Sequence, residues 1–570
     1  MMNLNFQQET KAEHNSKQWR SYSLMLLALP LLFPMQILGQ DTAAPGPILD
    51  YIHASWDTLS RSMTDCHSFG DPKLNGAPSI LYLPADEAVP PQVAALKAHC
   101  SVDVEHLPKV VVTFGELKLT DIPKPGLLYL PNKYVVPGGR FNEMYGWDSY
   151  FIILGLLREG KLGLAQGMVE NFFYEIEHYG GILNANRTYY FTRSQPPFLS
   201  SMIRGVYDAS GSDPAQRSKA KLWLARAYDY AQRDHALWTS EIHAAGNTGL
   251  ARYYDIGRGP VPEQEDDSSY YPDVIRWLLA HPEVKTDYLI DAPDNPSPKQ
   301  QAMLANLSCD PRFSHVCARA HVDGHWLSAD FYKGDRAMRE SGFDPSFRWG
   351  VFDGSTHHYA PVCLNSLLYK YELDLAWMAK TLGKPAAEVA KWNSEAAARK
   401  AAINKYLWNA GKGMYFDYDF EKGEQARYDY ISTFYPLWAG AASPEQIAGV
   451  EKNLKLIEQP GGIAMSDVDS GVQWDLPFGW APASWIAIEG MVKVGDTVDA
   501  VRTSQKFSKT IEEGYKHDGT IREKYNVVGG NAEVDVATGY KMNVIGFGWT
   551  NAVYLKMQDV IANGGKLSAK

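Results

Sequence analysis

From about residue 148 onward, apolar side chains recur at spacings of three and four with polar residues between them, the period of helices that bury one face. The segments 218–240, 364–382, 385–409 and 483–514 show it most clearly. Two boundaries come with a mechanism. Gly383 closes the second of these segments in the left-handed conformation, and Ser443-Pro444-Glu445-Gln446 reads as a capping box with proline at the first helical position. Before residue 130 the pattern differs: the short apolar runs "SILYLP" and "VVVTF" stand between Pro and Gly and read as strands of an N-terminal lead-in. Loops rich in Gly, Pro, Asp and aromatics join the helices, with no internal sequence period and no low-complexity linker between 60 and 560. This pattern predicts one large, mostly helical domain with its function on its loops.

The start of the chain has its own pattern. Lys17 and Arg20 precede "SYSLMLLALPLLFPMQILG", an apolar stretch broken by Pro30 and Pro34 and shorter than the ~20 residues that span a bilayer. It reads as a secretory signal over residues 1–40, cleaved near Gly39 or Gln40. A single domain over 41–570 follows, exported to the periplasm or secreted, with no stable membrane insertion after leader removal. Export would place the five cysteines where thiols tend to pair. Cys66 and Cys100 flank "SILYLP", Cys309 and Cys317 bracket "DPRFSHV", and Cys363 within "PVCLNSLLYK" reads as a buried free thiol.

Charge narrows the function. A net charge of −11 and the absence of a basic run beyond the first twenty residues exclude a nucleic-acid surface. The chain has no C-x-x-C, H-E-x-x-H or Gly-rich phosphate loop, so no metal or cofactor is expected. His357 and His358 are adjacent, and on a regular strand or helix such side chains point apart, so they read as structural or surface residues.

The chemistry concentrates in "PGGRFNEMYGWDSYF", residues 137 to 151, where a Pro-Gly-Gly bend, an Arg, a Glu, an Asp and five aromatics share fifteen positions. A core wants the rings without the charges, and a solvated loop the reverse. A sugar uses both, its hydroxyls against Arg and Asp and its C–H faces against Trp and Tyr. A second stretch, "QWDLPFGWAPASWIAIEG" from 473 to 490, has the same make-up.

Together "PGGRFNEMYGWDSY" and "QWDLPFGWAP" resemble the two signature segments of the trehalases, glycoside hydrolase family 37. Further matches follow in the family's order: "DCHSFGDPK", "NANRTYYFTRSQPP", "ESGFDPSFRW", "REKYN" and "GFGWTNAV". The resemblance covers roughly residues 45 to 560. It implies a mainly α fold, an (α/α)6 toroid of helical hairpins, and hydrolysis of α,α-trehalose to two glucose molecules with inversion. The partners it implies are a small disaccharide and water, with no metal and no cofactor.

Glycoside cleavage needs one carboxylic acid to protonate the leaving oxygen and one carboxylate to activate water or attack. By resemblance these are Asp344 as acid and Glu523 as base. Phe343, Phe347 and Trp349 give Asp344 an apolar setting that raises a carboxyl pKa, and Arg522 and Lys524 flank Glu523 with positive charge. Without the resemblance, Asp344 reads as a cap before Pro345 and Glu523 as a solvated acid in a charged triplet.

The resemblance assigns sugar contacts to Arg140, Trp147, Asp148, Asn184, Arg193, Ser194, Gln195, Glu263, Gly342, Gln473 and Trp474, with Trp480 lining the pocket and Asp475 bracing its loop. Two departures touch the second sugar subsite. Val261-Pro262-Glu263 stands where many relatives have Arg-Pro-Glu, with Arg258 as a candidate replacement cation, and Tyr540 stands where better-known members carry a Glu. Two other readings compete: an α-glucosidase of the same fold acting on another small glucoside, and a trehalose-binding protein without turnover.

Overall fold

The helical periodicity resolves into two concentric layers. The structure, a computed structural model, describes residues 46–69, 79–211, 213–265, 269–293, 295–305, 307, 320–536 and 542–567. The proposed leader, Cys309, Cys317 and Tyr540 lie outside them. Thirteen helices matter for the site: α1 (Gly46–Thr58), α2 (Gly146–Arg158), α3 (Leu162–His178), α4 (Leu199–Ala209), α5 (Pro214–Trp238), α6 (Ala329–Ser341), α7 (Val362–Leu382), α8 (Ala386–Tyr406), α9 (Tyr435–Ala439), α10 (Pro444–Asn453), α11 (Ala481–Val494), α12 (Thr497–Asp518) and α13 (Gly548–Ala562).

Six of them, α2, α4, α7, α9, α11 and α13, form the inner layer, each packed on the next, and α13 returns to α2 to close the ring. Helices α3, α5, α8, α10 and α12 connect successive inner members, and α1 packs outside α13, so the fold is an (α/α)6 toroid. Composition dictates the layers. Every residue of α2 from Gly146 to Ile153 is buried, as an inner position requires, whereas α8 buries only Trp392, Ala396, Arg399 and Ile403, one stripe at helical spacing. Closure needs small residues where backbones meet: a Cβ on Gly155 of α2 would lie 2.7 Å from the Ala552 Cβ of α13.

Several local expectations hold. Gly383 caps α7 at φ 76°, and Ser443 and Gln446 form the capping box of α10. Two others fail for identifiable reasons. The 483–514 pattern is two helices, because Gly495 turns left-handed at φ 92° and Asp496 then caps α12 by accepting the Asp499 N–H at 3.1 Å. "SILYLP" is a strand, Ser79–Leu83, pairing in parallel with Val102–His106 and Leu127–Leu128. "VVVTF" is not a strand: Glu116 takes the N–H groups of Val112 and Thr113 at 3.1 and 3.3 Å, leaving Val112 exposed.

Cys66 and Cys100 form a disulfide and Cys363 is buried and free. Between α5 and α7 the chain makes an excursion with a core of its own, including Val261, Tyr271, Phe331 and Phe352, and α6 runs from it toward the ring. Among the described residues no helix is long and apolar enough to cross a membrane.

Candidate active site

The segments that lead into α2, α4, α11 and α13 meet the C-terminal end of α6 around a cavity of about 800 Å³. That volume lies within the ~300–1,000 Å³ of small-molecule sites. Asp344 and Glu523 both line it, with Arg140, Trp147, Asp148, Asn184, Arg193, Gln195, Glu263, Gly342, Gln473 and Trp474. The structure thus brings together every residue the resemblance singled out for the site except Ser194. Ser194 is fully buried and does not line the cavity, and its backbone N–H donates to Glu340 Oε1 at 3.1 Å.

Asp344 is delivered by the end of α6. Gly342 caps that helix at φ 75°, and a Cβ there would meet the Trp147 ring at 2.7 Å, so glycine serves both the turn and the close approach. Gln473 donates to the Asp344 carbonyl, and the Trp474 N–H donates to that of Pro345 at 3.1 Å. Asp475 does brace the loop, accepting from the Phe347 N–H at 2.9 Å, Ser466 Oγ at 2.9 Å and Ser470 Oγ at 2.6 Å. Burial pushes the Asp344 carboxyl up to about 6, against the opposing pull of Arg339 and Arg193, with Glu523 and Glu263 adding to the rise.

Glu523 comes from the other side, beside the antiparallel pair Phe478–Trp480 and Lys524–Asn526. Its N–H donates to the Val544 carbonyl at 2.9 Å, and its own carbonyl accepts from Trp549 Nε1 at 3.2 Å. The two flanking cations divide. Lys524 is fully buried, places Nζ 3.1 Å from Glu523 Oε2, donates to the Met542 carbonyl at 2.9 Å and lies 5.1 Å from the centre of the Trp480 ring. Arg522 turns away to Asp518 and the Asn543 carbonyl. Between the two carboxyls' segments, Asp148 sits in the first turn of α2, held well above the usual carboxylate range by burial and then by the charges of Glu523 and Asp344.

Polar and aromatic walls complete the cavity. Buried Arg193 pairs with Glu263, and although burial alone would raise Glu263, Arg193 and Arg339 outweigh it and hold that carboxyl low. The Trp147 ring packs against Trp474 at 6.0 Å, Trp549 at 5.9 Å and Phe343 at 5.5 Å, and Trp474 stacks on Trp480 at 3.9 Å. Gln195 Oε1 accepts the Trp147 N–H at 2.9 Å, tying the start of α2 to the segment before α4.

A family model described as Trehalase matches residues 75–289 and 312–562. The chain belongs to the trehalase family. A probable trehalase of Eremothecium gossypii is 34% identical over 508 residues, covering 81% of this chain and 64% of that protein. The cytosolic neutral trehalase of Saccharomyces cerevisiae is 33% identical over 556 residues, 88% of this chain and 69% of that protein. The solved neutral trehalase Nth1 from Saccharomyces cerevisiae superposes with a TM-score of 0.69 at 31% identity, over 90% of this chain and 94% of that one. The chain spans less than two thirds of the length of the first fungal relatives it matches, 64% and 62%.

These relatives overturn the expected export. Well-covered members from Kluyveromyces lactis, Neurospora crassa and Saccharomyces cerevisiae are named cytosolic neutral trehalases, so the reading of periplasmic or secreted localisation is withdrawn. A short basic-then-apolar stretch is a compositional signal, and this one, interrupted by Pro30 and Pro34, does not carry that conclusion.

The structure also changes the meaning of a family departure. Val261 does not line the cavity: it is fully buried in the excursion's core, and its N–H donates to the Tyr271 hydroxyl at 3.0 Å. Arg258 is exposed and does not line it either. A second cation beside Glu263 and Asp344, in addition to Arg193, is Arg339, anchored on Asp335 at 3.1 Å with Nη1 3.8 Å from Asp344 Oδ2. Sequence reading missed Arg339, although Asp335 and Arg339 stand at the i,i+4 spacing of a helical ion pair. It also left Arg187, Tyr270 and Trp549 unassigned, all of which line the cavity; Arg187 and Trp549 stand inside two of the segments that carry the resemblance, and Tyr270 stands outside them all.

Proposed function

We propose that this chain is a trehalase that hydrolyses α,α-trehalose to two glucose molecules with inversion, the chain from about residue 41 onward acting as one catalytic domain. Asp344 is the general acid and Glu523 the general base. The observation that supports this most is the unequal setting of two carboxyls around one cavity: Asp344, raised to about 6, keeps a proton into the mildly acidic range, while Glu523 is ion-paired with a buried lysine.

In this reading Asp344 gives its proton to the glycosidic oxygen as that bond breaks. Glu523 takes a proton from a water that attacks the anomeric carbon from the opposite face, the arrangement for which inverting enzymes hold their carboxyls ~6.5–9.5 Å apart. Arg140, Asp148, Asn184, Arg193, Gln195, Glu263 and Arg339 take the hydroxyls, and Trp147, Trp474 and Trp480 wall the sugar rings. Gly342 and Gln473 shape the loop that carries the acid.

Proton NMR of the chain mixed with trehalose tests substrate and stereochemistry together. Equal early α- and β-glucose is expected, and cleavage of maltose or kojibiose in its place would move the chain to another small glucoside. Asp344→Asn and Glu523→Gln are each expected to lower kcat by about 10²–10⁴ with binding largely kept. Near-wild-type turnover in either variant would sink the assignment.

A further inference from the structure

The helix that delivers Asp344 begins at a second cluster, which hydrolysis does not use. Ser328 caps α6 by accepting the Phe331 N–H at 3.1 Å, and Asp330 lies in its first turn. Against it lies the 3₁₀ turn Thr356–His358, just before α7. His357 Nε2 is 3.0 Å from Asp330 Oδ1, and His358 Nε2 is 3.8 Å from the same oxygen. The ring centroids of the two histidines are 4.0 Å apart. The sequence expectation that these rings point apart fails, because strand alternation and helical spacing do not govern a single turn that runs straight into extended backbone at Tyr359.

A hydrogen bond to Asp330 accounts for His357 alone. At 3.8 Å His358 is beyond hydrogen-bond range, yet it presents the same ring nitrogen to the same oxygen. The three ligand atoms all lie within 4.8 Å of one another. Bonds of ~2.0–2.1 Å to a tetrahedral ion place ligands about 3.3 Å apart, and the 3.0 and 3.8 Å separations fall on either side of that spacing.

Access and support are also in place. The Asp330 side chain is 55% exposed and that of His358 27%, which leaves room for water at the remaining coordination positions. His357 is buried, and its carbonyl accepts from Arg252 Nη1 at 3.1 Å, which fixes the turn. Two imidazoles and one carboxylate suit zinc, cobalt or nickel, and offer too few oxygens for calcium or magnesium.

We propose that Asp330, His357 and His358 form a binding site for a divalent transition ion of the zinc class, which clamps the start of α6 to the turn before α7. Its role is structural, at the far end of the helix from Asp344, and cleavage proceeds without it. The buried Nδ1 of His357 has no hydrogen-bond partner among the described residues, so affinity is expected ~10–100-fold below that of a site whose histidines are both supported from behind. Among the described residues the other grouping of this kind, His235, Glu372 and Glu395, is a poorer site because Arg399 already holds Glu372 at 2.7 Å.

The full chain, stripped with chelator, is titrated with Co²⁺ and then Zn²⁺, with visible absorption and thermal unfolding as readouts. Expected are one Co²⁺ per chain with the d–d bands of an N/O site, displacement of those bands by Zn²⁺, and a higher unfolding midpoint with either ion. The double variant Asp330→Asn, His358→Gln alters two solvent-accessible side chains and is expected to lose all three effects while keeping wild-type kcat. Absence of d–d bands and of a midpoint shift with metal in excess over the chain would overturn the site. So would unchanged binding by the double variant, which would place the ion elsewhere.

Discussion

Replacing Arg339 with glutamine removes the positive charge beside the proposed acid, and the structure gives both the sign and the size of the effect. Arg339 Nη1 lies 3.8 Å from Asp344 Oδ2. At that distance two unit charges attract by about 1 kcal/mol in water and about 4 kcal/mol at an effective dielectric of 20. The Asp344 side chain is 37% exposed to the cavity, so water screens the pair and the working value falls toward the lower end. At 1.36 kcal/mol per unit this corresponds to about 1–2 pH units. Arg339 favours the ionised carboxyl and so works against the rise caused by burial. Without it, the acid stays protonated to higher pH. In the wild type kcat/KM should fall as pH rises through about 6; in Arg339→Gln that basic limb should move up by about 1–2 units. Total activity should drop, because Arg339 also lines the sugar cavity, and Arg339→Lys should leave the limb near its wild-type position. The assay is glucose release from trehalose across the pH range, with thermal unfolding to verify the fold, since Asp335 loses its ion pair and keeps, among the described residues, only the Tyr271 hydroxyl. A limb that stays in place, or moves down, in a folded Arg339→Gln variant would refute the assignment of that limb to Asp344.

Two further predictions follow from burial. Val261→Arg, which would restore the residue common in relatives, should bury an unpaired guanidinium in the excursion's core and cost about 3 kcal/mol or more. Calorimetry with an unchanged midpoint, together with a lower KM for trehalose, would show that position 261 reaches the sugar after all. Asp148→Asn should stabilise the fold at neutral pH while lowering kcat/KM. Its carboxyl is held above the unfolded-state value, so the folded chain binds the extra proton and stability is lost as pH rises from about 4 through the folded pKa. The gain from asparagine should therefore be larger at pH 8 than at pH 4, and equal midpoint shifts at both would contradict it.

Much of the architecture was legible because it is set locally. Three- and four-residue spacing gave the outer stripe of α8, and Gly383 and the Ser443 box gave the end of α7 and the start of α10. The family segments named a set of residues that, with the exception of Ser194, do surround one cavity. The failures share a cause. Flanking charge in sequence could not tell Lys524, buried against Glu523, from Arg522, drawn to Asp518. Position in a motif could not show that Val261 points into a core, or that the cation beside the acid arrives from α6.

What the sequence determined by itself is therefore the inventory: which faces are apolar, where helices stop, and which side chains can carry charge, hydrogen bonds or aromatic surface. Those follow from free energies confined to a few neighbouring residues. Only the tertiary structure decided which of them share one space. The ring closes when α13 packs on α2, bringing the Trp147 and Trp549 rings within 5.9 Å across four hundred residues of chain. That closure also sets the burial that raises Asp344, because desolvation depends on every segment around a group, and no stretch of sequence contains them all.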